Sequence, residues 1–184
     1  MHEEMPVKGH IEGITGCMFC GKSEELLRRI RRATIAGLKV QLFKPIIDDR
    51  DGKEIAARNG GSLPCTLVRN TADFIRQVEN DTAVIGLDEV QFFDDGIVAA
   101  CNELANGGKR VVWSGLDLDF RGQPFASVPC LLAISEYVTK LTAICTHEGC
   151  GGSASRSQRL GANSELFSVG HHYAARCRHH HKIK

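Results

Sequence analysis

Apolar and polar positions along the chain follow two periods in alternation. Residues 9–15 (GHIEGIT) read as a short strand that runs into glycine. Residues 23–36 switch to a helical period: Leu26, Leu27, Ile30 and Ala33 share one stripe, while Arg28, Arg29, Arg31 and Arg32 are expected to face outward. Gly37 stands where a helix C-terminal glycine belongs. Residues 40–43 give a second strand ended by Pro45, and residues 66–68 a short third. Thr71 is a candidate N-cap for a helix through Val78. Residues 83–87 are an unbroken apolar run stopped by Asp88, the pattern of a central parallel strand buried on both faces. Residues 95–106 read as a helix and 110–113 as a strand. Strands alternating with helices predict an α/β fold with helices on both faces of a parallel sheet. The texture changes near Cys145: residues 145–184 are rich in Gly, Ser, His and Arg and carry no long apolar period.

Composition narrows this picture. With 42% hydrophobic and 24% charged residues, the 184-residue chain is globular rather than disordered. A net charge of +1 offers no global basic field, so no nucleic-acid partner is expected. No apolar run approaches the roughly 20 residues that span a bilayer, and residues 1–8 carry charges where a signal peptide would be apolar. The expectation is a cytoplasmic protein with no membrane partner. Of eight cysteines, Cys17, Cys20, Cys65, Cys101 and Cys130 are expected to be reduced, small and mostly buried. Cys145, Cys150 and Cys177 lie beside histidines.

Between the first strand and the first helix, Gly16-Cys17-Met18-Phe19-Cys20-Gly21-Lys22-Ser23 matches G-x-x-x-x-G-K-[ST]. Two glycines let the backbone curl so that its N–H groups converge on phosphate oxygens. Lys22 supplies a charge to the β- and γ-phosphates, Ser23 a hydroxyl for Mg²⁺, and the helix its positive end. ATP–Mg²⁺ is the implied ligand. The thiols in the loop expose it to oxidation.

Asp88-Glu89 closes the buried apolar run, at the strand end where parallel sheets bind ligands. Asp88 is placed to hold Mg²⁺, and Glu89 to act as a general base toward an acceptor hydroxyl or a water. Gln91, Phe92 and Phe93 put an amide and two aromatics beside the acids, suited to a flat acceptor or to core packing.

Toward the C-terminus, Cys145-x4-Cys150 and Cys177-x2-His180 supply three thiolates and an imidazole, a set that suits a closed, structural Zn²⁺ site. By spacing, His147, His179 and His181 compete with His180 for the fourth position. The expected division is a P-loop nucleotide-binding domain over 1–140 and a small zinc-binding domain over 141–184.

Taken in order, TGCMFCGKSEELLRRIRR, FKPIIDDR, DEVQFF, GKRVVWSGLDLDFRGQPF, EYVTKLTAIC, SQRL and YAARCRHH resemble the cellular-type thymidine kinase family over nearly the whole chain. The resemblance implies a RecA-like P-loop domain, a zinc-ribbon-like domain, and a lasso loop that covers the nucleoside. It implies ATP-dependent phosphorylation of the 5′-hydroxyl of thymidine, and of deoxyuridine, in deoxynucleotide salvage. A homotetramer and feedback inhibition by dTTP are usual in the family. Carried over, Glu89 is the catalytic base. Residues 16–23 with Arg50, Asp88 and Gln91 hold ATP, and Ser23, Asp48 and Asp88 serve magnesium. Met18, Phe92, Leu116, Phe120, Val169, Gly170 and Tyr173 line the nucleoside pocket. Cys145, Cys150, Cys177 and His180 hold zinc. The segment from Leu160 to Tyr173 is shorter than is usual in the family, which leaves room for an altered substrate range. Two rival readings are a RecA-like P-loop ATPase and a zinc-ribbon binding module with a vestigial nucleotide site.

Overall fold

The computed structural model describes residues 9–48, 52–57, 61–160 and 172–183. Its elements in chain order are β1 (His10–Gly16), α1 (Lys22–Ile35), β2 (Val40–Pro45), β3 (Glu54–Ala56), β4 (Ser62–Pro64), β5 (Thr66–Val68), α2 (Thr71–Gln77) and β6 (Val84–Leu87). A 3₁₀ turn over Val90–Phe92 leads to α3 (Gly96–Asn106), β7 (Arg110–Gly115), α4 (Val128–Ile134) and β8 (Tyr137–Leu141). Four short strands close the chain: β9 (Ala143–Ile144), β10 (Ser153–Ala154), β11 (Arg156–Arg159) and β12 (Tyr173–Arg176).

Six strands form one parallel sheet in the order β5-β2-β6-β7-β1-β8. The strands expected from the apolar pattern all take part. All four residues of β6 are buried, as a strand covered on both faces requires. Alternation along the central strands divides the core in two. Ile11, Ile85, Leu87, Val111 and Trp113 meet the face covered by α2, α3 and α4. Ile14, Val84 and Val112 meet Leu26, Leu27, Ile30 and Ala33 of α1 on the other. Leu26, Leu27 and Ile30 are each 0% exposed, so the predicted stripe is the buried one. Each such side chain contributes on the order of 2 kcal/mol.

Local signals account for the helix ends. Beyond Ala36, Gly37 takes a φ of 77°, and the N–H groups of Gly37 and Leu38 bond the carbonyls of Thr34 and Ala33, a Schellman closure. The N-cap of α2 is Asn70 rather than Thr71: the Asn70 side chain accepts from the Asp73 N–H at 2.9 Å, closing the first turn from outside the helix. Arg29 also departs from expectation. It lies half-buried, bonding Glu12, Glu25 and Thr139, because β8 flanks β1 and covers that side of α1. Pro45 is the last residue of β2 rather than the one beyond it, tolerated at a strand end.

Several elements lack a sequence signal. Strand β8 is an edge strand in which Tyr137, Val138 and Lys140 are exposed and Thr139 and Leu141 half-buried, so it has no buried apolar run to announce it. The pairs β3–β4, β9–β10 and β11–β12 are antiparallel ribbons of two to four residues. Among the five cysteines expected to be mostly buried, Cys17 and Cys101 are buried, Cys20 and Cys65 half-buried, and Cys130 exposed. Among the described residues no helix is long and apolar enough to cross a membrane.

Candidate active site

The turn after β1 is built for close backbone approach. A Cβ on Gly16, at φ 144°, would lie 2.2 Å from the Leu141 carbonyl oxygen. Gly21, at φ 86°, is the N-cap of α1 and brings no capping side chain, so the first-turn N–H groups face the loop. Lys22 folds back across this hollow, its Nζ donating to the Cys17 carbonyl at 2.8 Å and lying 3.9 Å from Cys20 Sγ. Phe19 sits at φ 68°, unusual for a bulky residue. Cys20 packs against the small buried cluster that holds Cys17. The Cys17 thiol beside it, with the nearby Lys22 ammonium, holds Cys20 down to about 6 against its burial, whereas the Cys20 sulfur and burial push Cys17 up. The Cys17 thiol in turn donates to the Ala154 carbonyl at 3.2 Å.

Strand order brings the acids to this loop. In the sheet β7 lies between β1 and β6, so the carboxyl ends of all three converge. Ser23 Oγ donates to Asp88 Oδ2 at 3.1 Å, and Ser114, at the end of β7, donates a very short bond to Oδ1. The Glu89 N–H also donates to Oδ1, at 3.1 Å. Burial raises the Asp88 carboxyl to about 6, with repulsion from Glu89 adding to it, while the bonds from Ser114 and Ser23 and the charge of Lys22 pull the other way. Two hydroxyls and a buried carboxylate beside an ammonium make a donor set that fits a hard divalent cation.

Glu89 itself has φ 52° and ψ 46°, the left-handed region. A non-glycine residue there costs roughly 1 kcal/mol or more, a strain that recurs where a side chain must be aimed. Gln91 fixes its direction: Nε2 donates to Glu89 Oε2, while Oε1 accepts from the Leu116 N–H at 3.0 Å. Gln91 is 1% exposed, so its amide works inside this turn.

Aromatic side chains gather in two groups. Phe92 meets Phe125 edge-on, centroids 6.4 Å apart. The Arg159 guanidinium stacks 3.8 Å over the Phe120 ring and donates to the Tyr173 hydroxyl at 3.0 Å from Nε. Met18 is held from the far side of the loop, its N–H donating to Ser157 Oγ at 3.0 Å.

Farther out, Cys145, Cys150, Cys177 and His180 present four ligand atoms all within 4.8 Å of one another. His180 Nδ1 lies 3.8 Å from Cys145 Sγ and 3.3 Å from Cys177 Sγ, and the Cys150 and Cys177 sulfurs are 3.9 Å apart. A tetrahedron with Zn–S bonds of about 2.3 Å has sulfurs roughly 3.8 Å apart. The cluster fits zinc, and it selects among the histidines. His181 Nε2 instead bonds the Phe120 carbonyl at 2.8 Å, His147 stacks on the His180 ring at 3.9 Å, and His179 meets it edge-on.

A family model described as thymidine kinase matches residues 9–181. The chain belongs to the thymidine kinase family. Among solved structures it is similar to domain III of the Thermotoga maritima replication initiation protein DnaA, at 18% identity and a TM-score of 0.46. That match covers 75% of this chain and 57% of the other.

Within this thymidine kinase family chain, the structure brings Ser23, Asp88 and Glu89 together on the P-loop and gathers Phe120 and Tyr173 around Arg159. Asp48 is buried beyond β2, its Oδ2 3.9 Å from Lys44 Nζ. Arg50, Val169 and Gly170 lie outside the described residues. Sequence reasoning missed Ser114, Ser157 and Arg159. Ser114 had a usable signal, since a hydroxyl at the carboxyl end of a neighbouring parallel strand faces the same crevice. Ser157 and Arg159 stand in the SQRL segment that carries the resemblance, but their roles were not legible there because their partners come from distant segments.

Proposed function

We propose that the protein transfers the γ-phosphoryl group of ATP to the 5′-hydroxyl of thymidine, and of deoxyuridine, as a salvage enzyme of the cytoplasm. The observation that carries this reading is the Glu89 carboxylate, aimed by a left-handed backbone and by Gln91, directly beside a buried Asp88 that bonds the P-loop Ser23. The family match supports it.

In this reading residues 16–23 wrap the phosphates, with Lys22 exchanging its bond to the Cys17 carbonyl for phosphate oxygens. Ser23, Asp48 and Asp88 would hold Mg²⁺, which supplies charge neutralisation at the β- and γ-phosphates. Glu89 accepts the proton of the 5′-hydroxyl as its oxygen attacks phosphorus. Gln91, expected on the ATP side, also orients Glu89, with both ends of its amide engaged there. Met18, Phe92, Leu116, Phe120 and Tyr173 hold the nucleoside in an apolar, aromatic site that keeps water from taking its place. Arg50 completes the ATP site, and Val169 and Gly170 the nucleoside site. Cys145, Cys150, Cys177 and His180 would hold a structural zinc in a unit spanning 141–184, apart from the nucleotide domain over 1–140. A homotetramer inhibited by dTTP belongs to the same proposal.

The test is ADP formation from ATP–Mg²⁺ against a panel of deoxynucleosides, with Glu89→Gln in parallel. Thymidine-dependent ADP and thymidine monophosphate are expected, with turnover roughly 100-fold or more lower in the variant. ADP formed without regard to nucleoside would replace this reading by a plain ATPase. Unchanged turnover in Glu89→Gln would remove the base from its role.

A further inference from the structure

The P-loop carries a pair of thiols that phosphate binding does not use. Met18 and Phe19 form a turn, and Cys17 and Cys20 flank it. Such a turn brings the outer Cα atoms within roughly 7 Å, and disulfides join residues whose Cα atoms are about 4.4 to 6.8 Å apart. The two side chains already pack into one small cluster. They are not equivalent. Cys17 is 2% exposed and gives its proton to the Ala154 carbonyl. Cys20 is half-buried, lies 3.9 Å from the Lys22 ammonium and precedes the N-terminus of the 14-residue α1. A cation and a helix N-terminus both favour a thiolate.

We propose that Cys17 and Cys20 are a dithiol site that a hydroperoxide converts to a disulfide, shutting the nucleotide loop. The Cys20 thiolate attacks the peroxide, its O–O bond breaks, and Cys20 becomes a sulfenic acid while water or an alcohol leaves. The Cys17 sulfur then attacks the Cys20 sulfur. The S–S bond forms, the S–O bond breaks, and hydroxide leaves with the Cys17 proton as water. Two thiols are oxidised by two electrons and one peroxide is reduced.

Closure follows from geometry. The sulfurs must draw in to a bond of about 2 Å. Their backbones belong to the loop whose amides must converge on phosphate, and whose Cys17 carbonyl holds Lys22. Displacement near 1 Å in a positioned site costs roughly 100-fold. This consequence rests on reading the loop as the ATP site; the disulfide itself does not.

The experiment uses the full zinc-loaded chain exposed to hydrogen peroxide, with zinc release followed throughout. Free thiols are then alkylated under denaturing conditions and the digest is mapped by mass. The expected product is the Cys17–Cys20 peptide two hydrogens lighter and unalkylated, with zinc retained. Turnover should fall by roughly tenfold to 100-fold and return with a dithiol reductant. Cys20→Ser, compared with its own untreated form, should keep its turnover through the same exposure. Alkylated Cys17 and Cys20 after inactivation, or inactivation that tracks zinc loss, would overturn the proposal; so would a disulfide that leaves turnover unchanged. Untreated protein that fails to bind ATP would overturn the functional reading alone, with the mapped disulfide still standing.

Discussion

Replacing Asp88 by Asn should stabilise the magnesium-free protein while removing its phosphoryl transfer. Burial raises this carboxyl from 3.8 to about 6. A carboxyl raised on folding contributes stability that is fully present below its unfolded value and is lost as pH rises through its folded one. Stability should therefore fall between about pH 4 and 6 and stay level above. At 1.36 kcal/mol for each pKa unit the loss is on the order of 3 kcal/mol. Asn keeps the shape, can accept from Ser114 and the Glu89 N–H through its oxygen, and can donate to Ser23 through its nitrogen. Equilibrium urea unfolding of both proteins, zinc-loaded and without magnesium, would read the effect. Asp88→Asn should exceed the wild type by about 2–3 kcal/mol at pH 8, the gap closing toward pH 4. Subtracting the two curves cancels the proton linkage of the zinc ligands. A variant less stable than the wild type at pH 8 would refute the reasoning, because the bonds to the ionised carboxylate would then outweigh its burial.

Three other perturbations follow from the same structure. Glu12 accepts from His10, Arg29 and Arg110; burial pushes it up, but those bonds win and hold it near 2. Its stabilisation is present above its ordinary 4.5 and lost as pH falls through about 2, and Glu12→Gln should cost about 3 kcal/mol in urea unfolding at pH 7. An unchanged midpoint would mean the guanidiniums find water instead. Gly16→Ala sets a Cβ 2.2 Å from the Leu141 oxygen, so ATP binding measured by calorimetry should be lost along with at least 1–3 kcal/mol, roughly, of stability. Zinc removal by chelation should weaken thymidine binding before ATP binding, since β11 and β12 carry Arg159 and Tyr173 while the P-loop is anchored at both ends by β1 and α1 and meets the ribbons only through Cys17 and Met18 among the bonds described. Equal loss of both affinities would mean the metal holds the whole molecule.

Short-range physics made much of this protein legible from its residues alone. The 3.6-residue stripe of α1, the unbroken apolar run of β6, the glycine-bounded phosphate loop and the paired acids each lie within about fifteen neighbouring residues. Their form follows from local sterics and local burial. The cysteines of the cluster that fits zinc were legible too, because thiols spaced in pairs beside histidines are informative. Tertiary structure decided what required distant partners. Only the placement of β7 between β1 and β6 brings Ser23 and Ser114 to Asp88, and only the packing of the last ribbon chooses His180 over its three neighbours. Strand β8 stays hidden because an edge strand buries too little to leave an apolar pattern. Gln91 looks like any polar residue in a loop until Leu116, 25 positions away, claims one end of its amide and Glu89 the other. Side-chain hydrogen bonds are satisfied by whatever the fold brings within reach, and that proximity is a property of the whole chain rather than of any stretch of it.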